Sequence, residues 1–167
     1  LVKIPIGLGN PTKDIIFFFK SKSDINNKLL NKYSITAGTI NKSKFIVTNS
    51  IIAKQVYQEN IYTNPIKEAK IKINGKNRMN YYEGTYFNDV VPYQYYKNQV
   101  DVGVNVYSFA IHPTNDFPSG SINLSYVEDM NLFIKLHTSS DGNIHIYTRN
   151  YNILRVMSGQ SGIIYLN

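Results

Sequence analysis

Short runs of alternating side chains, cut apart by turn residues roughly every 8–15 positions, restrict this chain to an all-β fold of sandwich or barrel type. The clearest run is Lys67–Asn74. Ala69, Ile71 and Ile73 fall on one face of an extended chain, and Lys70, Lys72 and Asn74 fall on the other. That two-residue period marks a strand with one dry and one wet side. Asn74-Gly75 follows at once, and it is the dipeptide that a tight hairpin turn favours. Leu132–His137 repeats the pattern with Leu132, Ile134 and Leu136 inward, and Ile122–Val127 does so with Ile122, Leu124 and Tyr126 inward.

The other runs are less one-sided. Ile15–Lys20 is apolar on both faces, as is most of Val102–Ile111, which reads as a central strand. Lys44–Ile52 and Asn152–Met157 read as strands. Asp141-Gly142-Asn143 reads as a hairpin turn into a strand over Ile144–Arg149. About seven or eight strands are predicted in all, and no helix of three turns is needed. Residues 1–14 read as a lead-in. Residues 21–33 read as a polar loop with one helical turn around Lys28–Leu30. The Tyr-rich stretch Tyr81–Tyr96, broken by Gly84 and Pro92, reads as an irregular connection. Pro113 to Gly120 is a dense turn cluster, Ser158–Gly162 a bend and Ile163–Leu166 a short apolar end. Gly120, Asn152 and Gly159 read as turn formers.

The length of 167 residues suits one domain with a real core. Its 14 Tyr and 8 Phe favour pleated surfaces. The net charge of +7 raises nucleic acid as a partner. Yet only Arg78, Arg149 and Arg155 carry the guanidinium that reads phosphates and bases in pairs of hydrogen bonds. The lysines are scattered, densest over Lys67–Arg78, and read as a solvated face. With no Cys, disulfides and thiolate metal sites are excluded. The longest apolar run, Ile15–Phe19, has strand length and falls far below the roughly 20 residues of a membrane helix.

No group of residues here assembles a catalytic, cofactor or metal site. Gly7-Leu8-Gly9 opens like a dinucleotide loop, but Thr12 stands where the third Gly belongs. Gly159-Gln160-Ser161-Gly162 approaches a nucleophile elbow, with Ile163 in place of the second Gly. His137 and His145 could meet across the 141–143 turn, but they lack a third ligand, and His112 stands apart. Glu128 and Asp129 are adjacent, which is the wrong spacing for paired acid–base work. Asn41-Lys42-Ser43 and Asn123-Leu124-Ser125 fit the N-glycosylation acceptor pattern.

Four ordered segments carry a resemblance. They are NPIKEAKIKINGKNRM (64–79), GTYFNDVVPYQYY (84–96), VNVYSFAIHPTNDFPSGSINLSYVEDMNLFIKL (104–136) and IYTRNYNILRVMSGQSGIIYLN (146–167). NPTKDIIFFFK (10–20) matches more loosely, and residues 21–63 contribute less. In these segments the chain resembles the major capsid proteins of the nucleocytoplasmic large DNA viruses. The resemblance implies a jelly-roll (Greek-key) β-sandwich. Residues 1–167 would form a single domain, most of the second of two tandem jelly rolls, incomplete on its N-terminal side and part of a longer protein. It further implies a non-enzymatic protein without cofactors, found in the virion and assembled in the host cytoplasm. The protein would associate as a homotrimer into pseudo-hexagonal capsomers of an icosahedral shell. Its partners would be neighbouring capsomers and minor capsid proteins, with no specific nucleic acid and no direct membrane insertion. Tyr81–Tyr96 and the 112–121 turn are the expected contact segments. The alternative reading is a lectin-like carbohydrate-binding jelly roll that uses the same tyrosines.

Overall fold

The computed structural model describes residues 1–7, 10–48, 51–137 and 141–164, with the side chains of 43–48 and 51–57 excepted. In chain order, β1 (Val2–Pro5) and β2 (Pro11–Ser21) precede a short helix α1 (Lys22–Asn26). A long hairpin follows, β3 (Ile35–Thr48) and β4 (Ile51–Thr63). Next come β5 (Ile66–Ile73), β6 (Lys76–Asn77) and β7 (Tyr82–Glu83). A π-helical turn, Tyr86–Val90, runs into α2 (Val91–Tyr96). Then follow β8 (Asn105–Ser108), β9 (Ile122–Asn123), a 3-10 turn (Leu124–Tyr126), β10 (Met130–Leu136), β11 (Gly142–Asn150), β12 (Leu154–Met157) and β13 (Gln160–Ile163).

Two antiparallel sheets form the body. One runs β1-β10-β5-β6, with β7 also on β5. The other runs β11-β2-β8, with β9 also on β2. Ile15 and Phe17 from the second sheet share one core with Ile66, Ala69, Ile71, Leu132 and Ile134 from the first. This is the face-to-face packing of a sandwich. The strands with the cleanest alternation behave as read. Ala69 and Ile71 are buried while Lys70 and Lys72 face outward, and Leu132 and Ile134 are buried opposite them. Asn74 and Gly75 both take positive φ (48° and 76°) and close the turn into β6.

Several expectations are corrected. The lead-in is not a loop: Val2–Pro5 pairs with β10, its Pro5 tolerated because β1 lies at a sheet edge. Within the same stretch β2 begins as early as Pro11, while residues 8 and 9 of the Gly-Leu-Gly motif lie outside the described residues. The helical turn in the polar loop sits earlier, at Lys22–Asn26, because the Ser21 side chain caps the Asp24 N–H. The run Lys44–Ile52 belongs to two strands, with Thr48 paired to Ile51.

Val102–Ile111 supplies a regular strand only over Asn105–Ser108, and that strand lies at the end of its sheet rather than in the middle. Helical residues pack against it, which explains why both of its faces are apolar. Tyr126 does not point inward. The 3-10 turn, capped by Asn123 accepting from Ser125 N, rotates it out to 85% exposure. Asp141-Gly142-Asn143 does not close a hairpin between sequential strands, since β10 and β11 belong to different sheets. His137 and His145 are therefore not cross-strand partners, and His145 instead stacks on Phe18 at 5.3 Å. Asn152 Oδ1 accepts from Ile153 N as the chain turns into β12, and Ser158 and Gly159 take positive φ between β12 and β13. Of the apolar end, residues 165 and 166 lie outside the described residues.

Candidate interaction surface

The Tyr-rich segment is not irregular, as its Gly and Pro suggested. From Tyr86 to Tyr96 it is helical. Pro92 lies in the first turn of α2, where its missing N–H costs little. The Val91 N–H reaches back to the Tyr86 carbonyl, the five-residue step of a π turn. Gly84, just before, passes so close to the Ile66 carbonyl that an added Cβ would lie 1.9 Å from its oxygen. The helix is two-sided. Phe87, Asn88, Val91 and Pro92 are buried, while Val90, Tyr93 and Gln94 face out. Phe87 sets its ring edge-on to Phe17 at 5.6 Å, and Asn88 Nδ2 donates to the carbonyls of Asp101 (3.0 Å) and Val104 (2.8 Å).

The C-terminal end of this helix is locked to the second sheet by an ion pair. Asp14 on β2 is fully buried. Arg149 on β11 donates through Nε to both of its oxygens at 3.0 Å and through Nη2 to Oδ2, and the Tyr96 hydroxyl donates to Oδ2 as well. The guanidinium also lies 5.4 Å from the centre of the Tyr96 ring. Burial, then the hydrogen bond to Asp14, pushes the Tyr96 phenol far above its usual range. The Asp14 bond, outweighing burial, strengthens the hold of Arg149 on its proton. A buried carboxylate without a cation would cost several kcal/mol, so the three groups stand or fall together. A second buried polar cluster fixes the start of the segment. Asn64 Nδ2 donates to the Gly84 carbonyl and to Asn105 Oδ1, and Asn105 Nδ2 donates to the Gly103 carbonyl.

The turn expected as the other contact segment is tied to the same place. Arg149 Nη2 reaches the Pro113 carbonyl at 3.4 Å, Lys13 Nζ donates to the Asn115 carbonyl at 3.0 Å, and the Phe109 N–H donates to the Lys13 carbonyl at 2.9 Å. Ser119 holds the turn closed by accepting from the His112 N–H. Tyr93 at 79% exposure and Phe117 at 83% are thus presented from anchored backbone. Beside Tyr93 lies a shallow cleft lined by Asp89, Val90, Gln94 and Gln99.

Other sequence candidates do not converge on this surface. Among the described residues no three His, Asp or Glu side chains are grouped to hold a metal ion. Ser161 sits on β13 of a strand–turn–strand unit, not in the strand–helix turn a nucleophile elbow requires. Asn41 is exposed on β3, and Asn123 is half-buried at the 3-10 turn. Among the described residues no helix is long and apolar enough to cross a membrane. Sequence reasoning missed Asp14 and its pairing with Arg149. The spacing of Phe87 and Val91, one helical turn apart, was the available signal for the helix.

The family described as large eukaryotic DNA virus major capsid protein matches residues 2–162. The chain is 34% identical to the major capsid protein of Phaeocystis pouchetii virus over 153 residues, covering 87% of this chain and 29% of that protein. It is 37% identical to the major capsid protein of Chrysochromulina ericina virus over 128 residues, covering 74% and 21%. Among solved structures it is similar to the capsid of PBCV-1 (Paramecium bursaria Chlorella virus 1), with a TM-score of 0.74 and 27% identity over 99% of this chain and 46% of that one. The chain therefore spans less than a third of these two curated relatives and about half of the solved chain. The antiparallel sandwich is that of the capsid jelly roll. With the fold and the match over nearly its whole length in agreement, the chain belongs to the major capsid proteins of large eukaryotic DNA viruses, a family of structural proteins rather than enzymes.

Proposed function

We propose that this chain is shell-building material: one domain over residues 1–167, most of the second of two tandem jelly rolls, in a protein that self-associates as a homotrimer. The trimers form pseudo-hexagonal capsomers of an icosahedral capsid, assembled in the host cytoplasm. They contact neighbouring capsomers and minor capsid proteins, without inserting in a membrane and without reading nucleic acid. The family match over residues 2–162 is the observation that carries this reading. The clasp formed by Asp14, Arg149 and Tyr96 supports it in physical terms. A repeating shell needs contacts presented without conformational freedom, because ordering a loose loop on association costs about 0.5–1.5 kcal/mol per immobilised side chain. Tyr93 stands three residues before Tyr96 of the Asp14–Arg149–Tyr96 group, and Phe117 lies in the turn whose Pro113 carbonyl accepts from Arg149. Size-exclusion chromatography with light scattering tests the proposal: the full-length protein elutes as a trimer, and a clean monomer at high concentration overturns it.

One observation favours a second reading, a lectin-like module. Tyr93 stands beside a cleft with a carboxylate and two amides, the groups that stack on and hydrogen-bond to sugars. Glycan-array binding that disappears in Tyr93→Ala would select it.

A further inference from the structure

The outer face of the first sheet gathers charge that no single sequence segment displays. Lys3 on β1, Phe133 on β10 and Lys70 on β5 stand in register across three strands. Lys72 lies two residues along from Lys70, and Lys135 two residues along from Phe133. The lysines lie over rings: Lys70 Nζ is 4.5 Å from the Tyr81 ring centre and 5.2 Å from that of Phe133, Lys72 Nζ is 5.7 Å from Phe133, and Lys135 Nζ is 4.3 Å from Tyr81. Lys135 also pairs with Glu68 at 2.6 Å, and Glu83 stands opposite Glu68. Among the described residues Lys3, Lys70 and Lys72 have no carboxylate within ion-pair distance. The face therefore holds a closed ion pair at its Glu68 end; at the other end the Asp129 carboxylate is taken up by Asn131 Nδ2 at 2.6 Å, opposite Lys72, and leaves the three lysines without an ion-pair partner.

We propose that this face docks an extended acidic segment of a neighbouring shell protein, with carboxylates two residues apart lying along β5. The inference rests on the capsid reading above. Lys70 and Lys72 are separated by two residues of strand, about 6.6 Å, the same repeat that an extended peptide presents on one side. Lys3 stands two strands away from Lys70, about 9.6 Å, within reach of a longer acidic side chain from the same segment. Phe133, between them, offers an apolar floor. A nucleic acid fits less well. No arginine lies on these three strands. The Tyr81 ring, which could stack a base, already holds two ammonium groups.

Fluorescence anisotropy on the whole protein tests this with a labelled peptide carrying glutamate at every second position. The controls are its isomer with the glutamates in one block and a single-stranded oligonucleotide of equal charge. The alternating peptide binds and weakens as salt rises. Lys70→Glu with Lys72→Glu weakens it by about tenfold or more, as expected for two lost charge contacts, whereas Lys28→Glu, off this face, does not. No binding at low salt, equal loss in Lys28→Glu, equal binding of the blocked isomer, or tighter binding of the oligonucleotide each overturns the proposal. Light scattering on the same samples reports self-association separately. A protein that self-associates normally but ignores the peptide overturns this inference alone.

Discussion

The sandwich body and the two separate hairpins are written in the same residue types, yet they use them differently. In the body, Phe17, Ile71, Leu132 and Ile134 are fully buried between two sheets. In the hairpin β12–β13 every residue is exposed, with Leu154, Val156 and Ile163 on one side of a two-stranded ladder. The described side chains near the base of β3–β4, Ile40, Ile61 and Tyr62, are exposed as well. Apolar alternation thus marks a strand but does not say what covers it. The body holds itself together, whereas an isolated two-stranded hairpin is marginal in water.

Four substitutions, two of them also combined, break or sharpen that contrast. The largest effect belongs to Phe17→Ala, which empties a space shared with Phe87 and both sheets and costs about 4 kcal/mol in urea unfolding. Next comes Arg149→Met, which strands the buried Asp14 carboxylate and costs about 3 kcal/mol. Replacing the pair together, Asp14→Leu with Arg149→Met, recovers much of that loss, so a cycle of unfolding midpoints separates the ion pair from simple packing. The smallest is Leu154→Ser, which shifts stability by no more than about 0.5 kcal/mol in the isolated chain. A cost for Leu154→Ser near that of Phe17→Ala would mean that the hairpin is packed and the contrast false.

The same contrast explains what could be read from sequence. β5 and β10 were legible because each has one wet and one dry face, so the pattern itself reports the environment. The Asn74-Gly75 turn was legible because its chemistry is local. The fate of Asp141-Gly142-Asn143 was not: turn residues announce a reversal but not the sheet the chain then joins. The helix 86–96 was hidden by Gly84 and Pro92, one of which serves a close approach and the other a first turn. Asp14 and Arg149 lie 135 positions apart, and nothing in either neighbourhood names the other. The candidate surface was located by its tyrosines, but the clasp that makes it rigid is purely tertiary.

The pairing of β2 with β11 has a consequence for the chain during its synthesis. β2 is flanked by β8 and β11, and its pairing with β11 joins residues as far apart in sequence as Thr12 and Asn150. When Phe17 and Asp14 leave the ribosome, neither the strand that closes their sheet nor the arginine that neutralises the buried carboxylate yet exists. Pairings so distant in sequence form slowly, and the unpaired strands stay open to wrong partners meanwhile. One edge of β2 therefore stays open on the growing chain until β11 has been synthesised. The anchoring of the Tyr93 helix through Asp14 thus waits until β11 and its Arg149 have been made.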